Sequence, residues 1–198
     1  MGTVTMVEFL TVDGVMQGLG SAEEDTDGGF TRGGWGADYA AGVGRLLPSD
    51  GFSATAAYLF GRRTFERMAA FWPHQPDDDP MAAHLNRTPK YVVSRSRMDA
   101  AWPGTRTLSG PVADSIPELT HAIAGEIVIL GSGMLCRELL ERDLVDRLRL
   151  FIHPLLLGDG KRLFGDLPLP RRLSLISVDR SDLGTVGLVY EVRHLADT

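Results

Sequence analysis

Ile127-Val128-Ile129-Leu130-Gly131-Ser132-Gly133-Met134 is the stretch from which this chain is best read. An apolar, β-branched run stops at a glycine, and a helical pattern restarts just beyond it. Phe60-Gly61-Arg62-Arg63-Thr64-Phe65-Glu66 repeats the arrangement after a second apolar run. Glycine at such a turn lets backbone N–H groups approach a ligand, and the helix N-terminus behind them favours negative charge. The Gly61 turn adds arginines and a threonine, donors suited to phosphate. Two such turns point to one ligand carrying several phosphates, a dinucleotide.

Outward from these turns, the patterning predicts strands at 6–10, 56–60, 90–94, 126–130, 148–157, 173–178 and 186–194. Helices are predicted at 39–47, ending near Pro48, at 62–71 and at 134–142. A further helix is predicted from Ser115 as N-cap, with Pro117 in its first turn, to residue 124. Strand–helix alternation gives way to a run of strands. The expectation is an α/β fold, a mixed sheet covered by helices with an antiparallel edge at the C-terminal end. Residues 18–36 hold seven glycines together with Glu23, Glu24, Asp25 and Asp27. Such a segment is expected to bury little surface, as a mobile lid or a disordered insertion. Gln75-Pro76-Asp77-Asp78-Asp79-Pro80 reads as a surface loop.

Composition narrows the function classes. At 198 residues, 43% hydrophobic and 23% charged, the chain is expected to form a single domain over 1–198 with a sizeable core. A net charge of −6 argues against non-specific nucleic-acid binding. Cys136 is the one cysteine, so no intrachain disulfide forms, and a cytoplasmic protein is expected. The apolar stretch 148–157 is broken by Arg149, His153 and Pro154 and is too short to span a bilayer, so no membrane partner is expected. Five histidines without H-E-x-x-H spacing and a lone cysteine predict no metal site.

Each motif has a plainer reading beside the functional one. Arg62, Arg63 and Thr64 suit a phosphate, and equally suit an ion pair with Glu66 and a helix cap. Ser94-Arg95-Ser96-Arg97 places hydroxyls and guanidiniums directly after a strand, where open α/β sheets receive ligands. Gly131-Ser132-Gly133 with Cys136 approaches the dinucleotide fingerprint, but has cysteine where glycine or alanine is expected. The nearest following acid at a strand end, Asp159, lies 28 residues beyond Gly131 against about 20 in that fingerprint. A standard Rossmann domain is therefore the weaker reading.

Taken in order, these pieces resemble the dihydrofolate reductase-like superfamily, in the branch of the riboflavin-biosynthesis reductase domain. Phe9-Leu10-Thr11-Val12-Asp13-Gly14-Val15-Met16 is similar to that branch's first strand and S-x-D-G-type turn. Gly61-Arg62-Arg63-Thr64-Phe65-Glu66 is similar to its G-R-x-T-x-E element, and Gly131-Ser132-Gly133 to its glycine cluster. Residues 140–164 resemble the branch's L-L-x-x-x-L-V-D-x-L-x-L-x-I-x-P-x-x-L-G-x-G-x-x-L-F pattern.

The resemblance implies a mixed, mostly parallel eight-stranded sheet flanked by helices, with NADPH across the C-terminal ends of the central strands. It implies Arg62 and Thr64, beside Gly61, at the adenosine-side phosphates, and Ser94 and Arg95 at the 2′-phosphate. Gly131, Ser132, Gly133 and Met134 would lie under the pyrophosphate. Leu10 and Met16 would lie at the nicotinamide end, with Asp13 close to the reacting centre and Asp38 as the second candidate carboxylate. Trp35-Gly36-Ala37-Asp38 offers the carboxylate, but the spacing differs from that of dihydrofolate reductases and the prolines of their lead-in are missing, which argues against folate reduction. The H-x-E and P-C-x-x-C deaminase elements are also missing. The expected activity is hydride transfer from NADPH to a small heterocyclic or sugar-linked C=N or C=O group. Alternatives are a nucleotide-binding protein without turnover and a Rossmann-type dehydrogenase. Alternating apolar residues at Leu148, Leu150 and Ile152, together with the pairing of relatives, suggest a homodimer through the C-terminal strands.

Overall fold

The structure is a computed structural model that describes residues 1–46, 54–76, 78–96, 98, 101–165 and 167–194. Eight strands form one sheet in the order β4-β3-β2-β5-β1-β6-β8-β7. In chain order these are β1 (Thr3–Thr11), β2 (Thr55–Gly61), β3 (Lys90–Val93), β4 (Thr105–Leu108), β5 (Glu126–Leu130), β6 (Arg147–His153), β7 (Leu173–Arg180) and β8 (Val186–Val192). Strand β2 runs parallel to β3 and β5, and β3 parallel to β4. Strands β6, β8 and β7 are antiparallel, the expected C-terminal edge. This order is not the 3-2-1-4-5-6 of a Rossmann domain, which removes that alternative.

The chain divides into two compact units, Met1–Met6 with Asp50–Val145 and Val7–Ser49 with Asp146–Thr198. In the first unit, β2 and β5 are apolar almost throughout and buried, as parallel strands covered on both faces must be. Helix α2 (Arg62–Phe71) buries Phe65 and Ala69, one turn apart. Helix α3 (Pro80–Arg87) is an addition to the sequence reading. Asp79 caps it by accepting from the Met81 and Ala82 N–H groups, and Pro80 fits the first turn, where no intrahelical bond is lost. What read as a loop is thus a helix start, although Asp77 lies outside the described residues. At the other end of α3, the fully buried Lys90 donates to the Leu85, Asn86 and Thr88 carbonyls and lies 4.6 Å over the Trp102 ring. Burial pulls this ammonium down to about 8, while the helix C-terminal carbonyls and the indole face favour its charge.

Helix α4 (Val112–Ala122) begins three residues before the expected Ser115 cap and carries Pro117 inside it. The Ser115 hydroxyl donates back to the Pro111 carbonyl instead. The apolar spacing Val112, Ile116, Leu119 outweighs the missing Pro117 N–H. Helix α5 (Gly133–Glu141) buries Leu135, Cys136, Leu139 and Leu140.

In the second unit, α1 (Ala40–Leu46) follows a 3₁₀ turn at Ala37–Tyr39, so the expected helix start at 39 is tightened; Leu47 and Pro48 lie outside the described residues. Strand β6 ends at His153, earlier than expected, because Pro154 follows. The His153 imidazole is enclosed by the rings of Phe9, Trp35 and Tyr39, and burial pulls it down to about 4. On β7, Leu173, Leu175 and Val178 oppose Val192, Tyr190 and Leu188 of β8, and all three β7 side chains are largely exposed.

The glycine-rich segment departs from expectation. Far from burying little, it places Phe30 and Trp35 in a core with Val15 and Leu157. Gly160, at φ +113°, allows this packing: a Cβ there would come within 2.9 Å of the Phe30 ring. Lys161 clasps both Asp25 (2.8 Å) and Asp27 (2.9 Å), and Gln17 donates to the carbonyls of the same two residues. Burial works against the Lys161 charge, but the two carboxylates prevail and hold it above its ordinary value. Arg32 donates to the Leu157 carbonyl and Trp35 to that of Gln17. The segment is a strap, tied at both ends.

Candidate functional site

In the first unit, the C-terminal ends of β2 and β3 and the beginnings of α4 and α5 border a cleft of about 960 Å³. Its lining includes Gly61, Ser94, Arg95, Pro111, Met134 and residues along α5. Gly131 takes φ +63°, which an L side chain rarely adopts, and turns β5 into α5. Neither α2 nor α5 has a side chain capping its N-terminus, so their first N–H groups are not claimed in that way.

The two glycine turns are tied to each other. The Gly61 N–H donates to the Ser132 hydroxyl at 3.1 Å, and the Thr64 hydroxyl donates to the Gly131 carbonyl at 3.1 Å. Thr64 therefore joins the turns and does not cap α2. Arg62 is exposed and donates to the Ser96 hydroxyl at 2.9 Å, with its Nε 3.8 Å from Glu66. Ser94 is buried and donates to the Ser96 carbonyl at 2.7 Å, so the 94–96 turn is preformed, with Arg95 exposed beside it. Arg97 lies outside the described residues. Met134 stands exposed at the start of α5. Gly61, Arg62, Thr64, Ser94, Arg95 and Gly131–Met134 thus gather around connected turns of one unit.

In the second unit, Leu10 is buried and Met16 half-buried. Asp13 is held by neighbours on both oxygens. Its Oδ1 accepts from the Thr11 hydroxyl (2.6 Å) and the Leu157 N–H, and its Oδ2 accepts from the Gly158 N–H (2.8 Å). Arg162 approaches to 3.5 Å. The Thr11 hydroxyl and the two backbone donors hold the carboxyl down at about 2, against partial burial. Asp38 lies exposed in the 3₁₀ turn before α1.

Sequence reasoning missed one wall of the cleft. Met134, Arg137, Glu138 and Glu141 all line it, at the i, i+3, i+4, i+7 spacing of one helix face. The opposite face of α5 is apolar, so the amphipathic period was the available signal. Among the described residues, no helix is long and apolar enough to cross a membrane.

The cleft chemistry fits a dinucleotide. Positive side chains and helix N-termini that no side chain caps suit phosphates, and the open Gly131 turn leaves room for close approach. Dihydrofolate reductase from Enterococcus faecalis, complexed with NADP(H), superposes with a TM-score of 0.57 over 97% of each chain at 14% identity. A pyrimidine reductase-like protein from Corynebacterium diphtheriae NCTC gives 0.64 over 98% of this chain and 92% of its own, at 16% identity. The fold is dihydrofolate reductase-like. Uncharacterised protein YyaP of Bacillus subtilis (strain 168) is 27% identical over 135 residues, 67% of this chain and 71% of its own. Residues 2–186 match the sequence profile of the RibD C-terminal domain, and the chain belongs to that family.

Proposed function

We propose that this protein is an NADPH-dependent reductase that transfers hydride to a C=N or C=O group of a small heterocyclic or sugar-linked compound. The observation that carries the proposal is the pair of hydrogen-bonded glycine turns, with helix N-termini that no side chain caps, beside a cleft that Gly61, Ser94, Arg95 and Met134 line. Membership of the family, and likeness in fold to a dihydrofolate reductase and a pyrimidine reductase-like protein, support the same reading. Arg62 and Thr64 would hold the adenosine-side phosphates, Ser94 and Arg95 the 2′-phosphate, and Gly131, Ser132, Gly133 and Met134 the pyrophosphate. Leu10 and Met16 are assigned to the nicotinamide end.

Bound NADPH supplies the hydride, while the protein supplies position, charge and proton. Asp13 stays ionised at neutral pH, so it holds no proton to donate. Its part is a fixed negative charge that anchors the substrate side and keeps the Thr11–Leu157–Gly158 turn in place. Asp38, exposed to water, is the candidate to relay the proton. A homodimer through the C-terminal strands, in a cytoplasmic protein, completes the proposal.

Titration with NADPH and NADH tests it. The unmodified protein should prefer NADPH, since a charged hydrogen bond contributes about 1.5–3 kcal/mol, one to two decades in affinity. Arg62→Ala and Arg95→Ala should lose affinity for NADPH selectively. Equal affinity for the two nucleotides in the unmodified protein overturns the 2′-phosphate assignment. A screen of pterins, folates, flavins and pyrimidine ribosylamines for NADPH oxidation then identifies the substrate class.

A further inference from the structure

The cleft is not uniformly positive. Arg95, Arg137 and Arg142 line it together with Glu138 and Glu141. Within this group, the Glu138 carboxylate lies 3.4 Å from the Arg142 Nε, one helical turn away, and both side chains are about half exposed. On a plain helix surface such a pair is a minor stabiliser, with the acid on the favourable N-terminal side. Here it stands inside the cleft assigned above to the nucleotide, on which this inference rests.

We infer that Glu138 is a specificity-determining residue, because it neutralises Arg142 and so limits how strongly the cleft takes the 2′-phosphate. A phosphate monoester carries about 1.5 to 2 negative charges at neutral pH. In the cleft that Arg95 also lines, it meets Arg142 already matched by a carboxylate 3.4 Å away, so the pair counts as nearly neutral to it. Replacing the carboxylate by an amide of the same shape leaves Arg142 as an uncompensated cation. A ligand with a 2′-phosphate gains from that change, whereas one with a 2′-hydroxyl does not. Glu138 acts through Arg142 and the local field and touches no reacting atom.

The experiment is calorimetric titration of NADPH and NADH against the full chain and its Glu138→Gln, Glu138→Asp, Arg142→Gln and doubly substituted forms. Glu138→Gln should tighten NADPH about five- to tenfold and change NADH less than about twofold. Glu138→Asp, which keeps the charge, should stay near the unmodified protein. Arg142→Gln should weaken NADPH by a similar factor, and in its background Glu138→Gln should raise the NADPH preference much less. Circular dichroism controls for folding, which an exposed amide substitution on α5 leaves intact. Equal shifts for both nucleotides, or none, overturn this inference alone. Failure of the unmodified protein to bind either nucleotide overturns the proposed function and this inference with it.

Discussion

Asp13 shows how much one side chain is fixed by its immediate neighbours. Unfolded, its carboxyl titrates near 3.8; folded, near 2. Between those values the unfolded chain binds more protons, so stability rises with pH through this window and is flat above it. Asp13→Asn should lower stability by roughly 1–2 kcal/mol at pH 7, the shift being discounted for partial exposure. The deficit should shrink as pH falls from about 4 and vanish only below about 2. Urea melts at pH 7 and pH 2.5 check this; an undiminished deficit at low pH means the carboxylate charge is not what holds the turn. In the same variant, turnover should fall while NADPH affinity stays within about twofold, as steady-state rates and titration would report.

At the scale of elements, the strap depends on a clasp made far apart in sequence. Lys161 reaches Asp25 and Asp27 across more than 130 residues, with Phe30 and Trp35 buried beneath. Lys161→Met should free the 18–36 segment while leaving β6 unaffected. Its amide exchange should quicken by roughly tenfold, read by mass spectrometry; unchanged exchange means that the apolar contacts alone hold it. This long reach explains the misreading of the segment: glycine content is visible locally, but a carboxylate's partner on another loop is not. Elements set by local signals were legible. The β5 turn and α5 follow from an apolar run, a glycine and an amphipathic period, and α2 was placed at its observed bounds. Helix α3 was missed because its acidic cap and first-turn proline are also turn residues. Strand β4 was missed because Thr-Arg-Thr-Leu, on an edge and largely exposed, has no apolar pattern to show. The two glycine turns themselves were legible; that Thr64 and Ser132 tie them together was not, since both bonds join residues about seventy positions apart.

At the scale of the whole molecule, the exposed apolar side chains of β7 mark the surface proposed for pairing. Sedimentation at micromolar concentration should give a mass about twice 21.5 kDa. Leu175→Glu with Val178→Glu should return it to the single-chain value, because two carboxylates on one strand face repel and demand water. A mass of 21.5 kDa for the unmodified protein rules the pair out. The two ends of the sheet differ in kind: β7 has eight residues with an apolar face, while β4 has four, mostly polar and exposed. A head-to-tail contact, β7 of one copy on β4 of the next, would repeat without limit and grow into a filament. The mismatch in length and polarity disfavours that register, whereas β7 meeting β7 about a two-fold axis, the pairing proposed, would use up both sticky ends at once. The asymmetry of its sheet edges would make the proposed pairing self-limiting.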